Sequence, residues 1–356
     1  MRNSLIKVAY LIITLSLAVS CDRLLFIDNE DFLVVTKYIK PNTGEDVSKQ
    51  IQRLIDNNPN RTLYFPDGEY CIASPIRTSS DPHKSVSLKL SNYAIIKAIN
   101  NWPIGSAMVA LGAKDYTNDI FTPGSNYFLE GGIIDGSGIA KGISIDSGRE
   151  TSIRNVSIKD VSVGIHILKG INNGSSDCDI ENVNIVGNDD VESIGIIIEG
   201  NDNTFSNMRI ARVHIGVKVS SSGNHLCKIH PLYYGNGIKD YDTSCGFIDE
   251  VGDNWYEFCY SDEFSVGFVS HGHNSIYDNC YAFWYSNRGN KHVAFKADGV
   301  FNSYLTNFKV GFTSYNFVEN NIVLEEVIKG GRGVISGLHI TNEQYLTDKT
   351  HLKYMK

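Results

Sequence analysis

The chain has 356 residues, 42% of them hydrophobic, and its 32 Lys and Arg against 40 Asp and Glu give a formal charge of −8. That is enough apolar material for a large core, held in one elongated repeat domain or in two globular ones. The acidic balance argues against general nucleic-acid binding, and no nucleic-acid partner is expected.

Residues 1–20 read as an export leader. Arg2 and Lys7 give a basic start, Val8 to Leu17 is an apolar run too short for a comfortable membrane span, and the small residues Ala18 and Ser20 precede Cys21. The ending Leu17-Ala-Val-Ser-Cys21 resembles a bacterial lipoprotein signal. That resemblance implies a lipid anchor on Cys21, membrane contact through that anchor only, and a place in the cell envelope of a bacterium. Plain secretion with another cleavage point is the alternative. Losing Arg2 and Lys7 with the leader would move the charge from −8 to −10. Six cysteines follow Cys21 with no CxxC pair or metal-finger spacing, and Cys178, Cys227 and Cys280 suit small buried positions.

Residues 21–42 are expected to form a tether and first strand. Val47, Ile51, Leu54 and Ile55 recur at helical spacing, predicting a short amphipathic helix over 46–57 that Asn58-Pro59 closes. Thr62-Leu-Tyr-Phe65 and Glu69-Tyr-Cys-Ile-Ala73 predict two strands around a Pro66-Asp67-Gly68 turn. A helix at this point covers the open end of a stacked core.

Beyond it the chain repeats. Asn155, Asn182, Asn207, Asn279 and Asn307 each open an Asn-apolar-x-apolar strand, with steps of 25 to 28 residues wherever two follow in consecutive repeats. Between them come Gly164-Ile-His-Ile167, Gly195-Ile-Ile-Ile198, Gly216-Val-Lys-Val219 and Gly267-Phe-Val269. A period of this size, built from short strands with no helical pattern between them, selects a β-solenoid. The pattern is irregular over 85–135, clean over 142–219, interrupted over 220–262 by an expected longer loop, and restored over 264–312, with a last rung at Val334–Ile340. About nine rungs at ~4.8 Å would give a body on the order of 40 Å long.

The run from Thr43 to Asp56, continued by Leu63-Tyr-Phe-Pro-Asp-Gly-Glu-Tyr-Cys-Ile-Ala-Ser-Pro75, resembles the opening of the pectate-lyase-like superfamily. With the rungs that follow, the similarity covers most of residues 35–340. It implies an all-β, single-stranded right-handed parallel β-helix over 43–340 with a short N-terminal capping helix, and leaves 341–356 as a C-terminal cap or tail. It also implies a polysaccharide as partner. The superfamily includes lyases, polygalacturonase-type hydrolases, epimerases, fructotransferases and phage tail spikes, so the chemistry stays open. Its catalytic groove often lies along the strand row that holds the repeated glycines.

If apolar residues beside those glycines point inward, even offsets from them point outward. This predicts an outward cluster of Arg212, His214 and Lys218, joined by Tyr233, Lys239 and Glu263, with Val191, Ser193 and Ile197 one rung earlier and Asp160, Ser162 and His166 two rungs earlier. β-Elimination on a uronate needs cations to quench its carboxylate and a base near neutral pH. Arg212 and Lys218 suit the first role, His214 or Lys239 the second, and Tyr233 could donate to the leaving oxygen; an exposed, solvated sheet face is the plainer reading of the same residues. A lyase is therefore preferred.

A hydrolase would instead need two carboxyls about 5 to 9.5 Å apart. Asp189, Asp190, Glu192, Asp262 and Glu263 are the candidates, with Asp190, Glu192 and Asp262 also expected to touch substrate. Gly187-Asn-Asp-Asp190 and His271-Gly-His273 resemble polygalacturonase elements but lie three rungs apart where that family has about one. Trp255, Trp284 and Tyr285 are the aromatic residues expected to be exposed for sugar rings. A non-catalytic glycan-binding or adhesive solenoid is the third reading. His271, His273 and His292 lack a third ligand at fixed spacing, so no metal site is expected and no cofactor is required; a calcium ion shared by acidic loops and acidic sugars is the one compatible metal.

Overall fold

A computed structural model of the chain describes residues 32–114, 127–234, 240–286, 288, 292–297, 302–312, 322–325 and 333–340. The leader, Cys21, Lys239 and the tail after 340 lie outside the described residues. The chain divides into Met1–Leu33, of which only Phe32 and Leu33 are described, and a second unit, Val34–Lys356.

The second unit is an all-β parallel β-helix. Each coil contributes three short strands, and every strand pairs in parallel with its equivalent one coil on. Ser152–Arg154, Ser157–Val161 and Val163–Ile167 are one such coil, and they define the first, second and third faces. The third face is a separate ten-stranded sheet. The first two faces merge where Thr204–Ala211 and His225–Leu232 run unbroken around the corner between them.

The repeated sequence signatures mark geometry at two places in the coil. Asn155, Asn182, Asn207, Asn279 and Asn307 hold the corner between the first and second faces, all with φ between 50° and 57°. Asparagine tolerates this left-handed conformation better than most side chains. Lys228 and Phe258 occupy the same corner in the coils between, at φ 57° and 53°. Phe258 gains little for the strain, since its ring is exposed. Phe258→Asn is expected to raise stability by about 1 kcal/mol, read as a higher denaturant midpoint at unchanged slope. The repeated glycine on the third face answers a different demand. A Cβ at Gly195 would lie 2.5 Å from the Gly216 carbonyl oxygen and 2.5 Å from Ile210, so the next coil occupies that space.

Inward rows stack into the core. Val109, Ile143, Ile165, Ile196, Val217, Phe247, Phe268 and Phe295 follow one another in register on the third face. The row changes from aliphatic to aromatic at Phe247, whose ring stacks on Phe268 at 4.6 Å. Tyr256 stacks on Tyr277 at the same spacing, inside the first face. This ladder explains much of the aromatic crowding over 255–285.

The helix Ser48–Asn57 closes the N-terminal end, burying Ile51 and Ile55. It begins two residues later than expected because Asp46 stays outside it, its carboxylate accepting from Ser48 N at 2.9 Å and Ala73 N at 3.0 Å. Gln52 then acts as a surrogate strand. Its amide accepts from Arg77 N at 2.8 Å and donates to Arg77 O at 2.9 Å, which satisfies the open edge of the ten-stranded sheet.

The expected loop over 220–262 is corrected. That stretch contains the strands His225–Leu232, Cys245–Asp249, Trp255–Glu257 and Tyr260–Asp262, which keep their places in the coil. Pro231 does not break its strand; in register with Ile210, its ring continues an inward row.

Candidate functional site

The expected single outward cluster does not form as one surface. Alternation holds within a strand but resets at a corner, and residue 212 is a corner. Arg212 has φ 57° and its guanidinium pairs with Asp189, the Nε to Oδ2 distance being 2.8 Å. His214 lies past that corner and is buried, 6% exposed, with Nε2 3.0 Å from Thr243 Oγ1. Burial lowers the pKa of its imidazole. Lys218 alone of the three stands on the outer third face, where it meets Glu250 at 2.9 Å.

Tyr233 is also buried, packed edge-on against Tyr241 and Phe264, and burial pushes its hydroxyl up to about 12. Glu263 sits at another left-handed corner, φ 66°, and is buried. Its carboxylate accepts from Ser286 N at 2.9 Å and Ser286 Oγ at 2.5 Å and also from Tyr285 N, which pins the following turn. The expected outward Tyr233 and Glu263 are thus corner residues turned inward.

The expected substrate contacts separate in the same way. Trp284 is 1% exposed because it falls on an inward position of Tyr281–Trp284, and its indole donates to Phe264 O at 2.6 Å. Trp255 is exposed on the first face and Tyr285 is exposed just past the strand Tyr281–Trp284. Asp190 and Glu192 are exposed in the connection after Asn184–Gly187, where Asp190 Oδ1 accepts from Glu192 N at 2.9 Å. Asp262 lies on the second face, 3.4 Å from His230. Among the described residues no three His, Cys, Asp or Glu side chains gather as a metal site.

A concavity does exist on the glycine-bearing third face, nearer its N-terminal end. It has a volume of about 360 Å³. Its floor is an outward row in register, Arg77, Ala110, Ser144 and His166, whose two middle members are small. Lys114 and Lys141 flank that floor, and Asp146 is the carboxylate among its lining residues. Small side chains between large ones make the depression, and two neighbouring coils supply the large ones.

Three cations gather at this cleft. Several cations on the coils are matched: Lys89 with Glu130, Lys97 with Glu69, Arg154 with Asp179, Arg212 with Asp189 and Lys218 with Glu250. Arg77, Lys114 and Lys141 have no ion-pair partner among the described residues. On a chain of charge −8, three unmatched cations facing one cleft favour an anionic ligand. His166 closes the row, with Nε2 3.1 Å from Glu199 Oε2. The carboxylate can only accept, which assigns the proton to Nε2 and leaves Nδ1 with a lone pair.

The sequence pattern had already placed His166 outward but gave it no role. Lys114 was missed because it lies where the repeat is irregular, Arg77 because it precedes the repeated glycines, and Lys141 because it stands at an odd offset from Gly142.

No family model matches the chain, and no curated protein matches it. Solved structures do. An alginate lyase from Paenibacillus sp. str. FPU-7 superposes with a TM-score of 0.54 at 13% identity, covering 83% of this chain and 96% of that one. A tailspike protein from Acinetobacter baumannii bacteriophage Fri1, described as a capsular polysaccharide depolymerase, gives 0.57 at 11% identity over 91% of this chain and 66% of that one. The surface adhesin PfbA of Streptococcus pneumoniae gives 0.52 at 12% identity over 86% and 91%. The chain spans less than two thirds of the length of several viral proteins that it resembles. At these identities the likeness is one of fold, and the chain is by that likeness a parallel β-helix protein.

Proposed function

We propose that the chain cleaves a uronate-containing polysaccharide by β-elimination in the third-face cleft. The observation that carries this reading is the gathering of Arg77, Lys114 and Lys141, none of them in an ion pair among the described residues, beside a histidine oriented by Glu199. The three cations would neutralise the uronate carboxylate and so acidify the proton on the adjacent carbon. His166 Nδ1 takes that proton. The electron pair left behind forms the carbon–carbon double bond as the bond to the glycosidic oxygen breaks, and Lys141 protonates the departing oxygen.

The lining supports elimination over hydrolysis. Hydrolysis needs two carboxyl groups across the scissile bond, and Asp146 is the one carboxylate among the described lining residues. An alginate lyase and a capsular polysaccharide depolymerase among the structural relatives support a polysaccharide as the ligand class. The same proposal keeps Cys21 as a lipid anchor holding the solenoid at a bacterial cell envelope.

Incubation with alginate, polygalacturonate, hyaluronan and neutral dextran tests the reading. Ultraviolet absorbance of an unsaturated uronate is expected from at least one acidic polymer and none from dextran. Reducing ends without that absorbance would point to a hydrolase, and retention on polymer without products to a binding protein.

A further inference from the structure

The second face carries a groove of its own, of about 290 Å³, on a different surface from the cleft just described. Its outward row runs Ser157, Asn184, Arg209, His230 in register, and Lys159, Val186, Ala211 and Leu232 line it beside that row. Arg209 is exposed, and its nearest recorded partner is another nitrogen base, His230 Nδ1 at 3.4 Å. Neither Arg209 nor Lys159 has an ion-pair partner among the described residues; Asp135, the register neighbour of Lys159, does not come within ion-pair reach. His230 is fixed from two sides. Its Nε2 lies 3.4 Å from Asp262 Oδ2, and its ring stacks on Tyr260 at 4.3 Å and 19°.

The row then continues as a stack. Tyr260 lies 4.9 Å from Tyr281, and Lys309 stands 4.7 Å above the Tyr281 ring. These rings cover one another's faces, so they are not a platform for sugar stacking; they hold His230 rigid at the groove's edge. The groove therefore offers two unmatched cations, an amide and a fixed imidazole around a floor of Val186, Ala211 and Leu232. A carboxylated pyranose matches that set: an acid group for the cations, a hydroxyl for Asn184, an apolar ring face for the floor, and His230 as the rigid wall that positions Arg209.

We propose that this groove is a second, non-catalytic site that binds an acidic sugar unit and holds the polymer on the second face. The proposal rests on the reading of the chain as an acidic-glycan protein, but not on catalysis in the third-face cleft. A site that only holds polymer raises its local concentration at the cleft without touching the reacting bond.

Affinity electrophoresis in gels containing alginate, polygalacturonate or hyaluronan, with dextran as the uncharged control, tests it. The double variant Lys159→Ala, Arg209→Ala is expected to lose retention about tenfold or more in the gel that retards the wild-type protein, while its thermal midpoint and its turnover of short oligosaccharides stay unchanged. Both side chains lie on the outer face, so folding is not at risk. Retention unchanged in the double variant overturns the second site, whatever the turnover. Absence of retardation of the wild-type protein by every acidic polymer overturns it as well. Retention that depends on Arg209 in a protein without turnover sustains this proposal and sinks the catalytic one.

Discussion

His166→Ala is expected to lower kcat by about 10²–10⁴-fold on whichever acidic polymer the wild-type protein cleaves, with folding intact. The side chain projects from the outer face between Ser144 and Ile197, so its removal opens no core cavity. Initial rates of unsaturated-uronate absorbance measure the effect, and rates within twofold of wild type would remove His166 as the base. Glu199 acts through His166 by fixing its tautomer, so it is a positioning residue. Glu199→Gln keeps the size but can donate as well as accept, which leaves the imidazole proton unassigned. Its kcat is expected to fall by less than in His166→Ala while KM stays unchanged, whereas Arg77→Ala and Lys141→Ala should change both constants because they meet the substrate carboxylate before and during reaction.

The solenoid was legible because it is a local rule repeated. Asn at the left-handed corner and Gly under the next coil are each dictated within one coil and its neighbour, so spacing alone exposed them. The placement of side chains beyond a corner was not legible. Counting even offsets from Gly216 reached Lys218 correctly, since both lie in Ile215–Val219. The same count carried back left the strand: His214 precedes it and is buried, and Arg212 sits at a corner with positive φ, where inward and outward exchange. The cleft escaped for another reason: its floor is defined by small residues, Ala110 and Ser144, whose significance appears only once Arg77 and His166 are known to stand in the same row. A second ladder was also missed. Asn203, Asn224 and Asn254 are fully buried and hydrogen-bond from coil to coil, Asn203 N to Asn224 Oδ1 at 3.1 Å and Asn224 N to Asn254 Oδ1 at 3.0 Å. The recurring Asp202-Asn203, Gly223-Asn224 and Asp253-Asn254 pairs are the sequence signal for it.

That ladder ends on the most exacting group in the core, and Asp249→Ala is expected to cost at least about 3 kcal/mol of stability. Asp249 occupies an inward row filled in the preceding coils by Leu111, Ile145, Ile167, Ile198 and Val219 and continued by Ser270 and Ala297. It is 1% exposed. Its Oδ1 accepts from Gly252 N at 2.9 Å, Val251 N at 3.3 Å and Asn254 Nδ2 at 3.2 Å, and its Oδ2 from Ser275 Oγ at 2.5 Å and Tyr277 OH at 3.3 Å. Five donors around a buried side chain are left to find other acceptors when the carboxylate goes. Asp249→Val separates packing from hydrogen bonding, because valine restores the aliphatic row but accepts nothing. If the network is what matters, the valine variant should be destabilised nearly as much as the alanine one, with faster amide exchange at Gly252 and Asn254. Wild-type stability in Asp249→Val would show instead that a hydrophobic row tolerates the loss of every one of these bonds, as replaced buried charges sometimes do. His166 and Arg77 stand on an outer face several coils away, so catalysis at the third-face cleft should persist in both variants at temperatures where they remain folded.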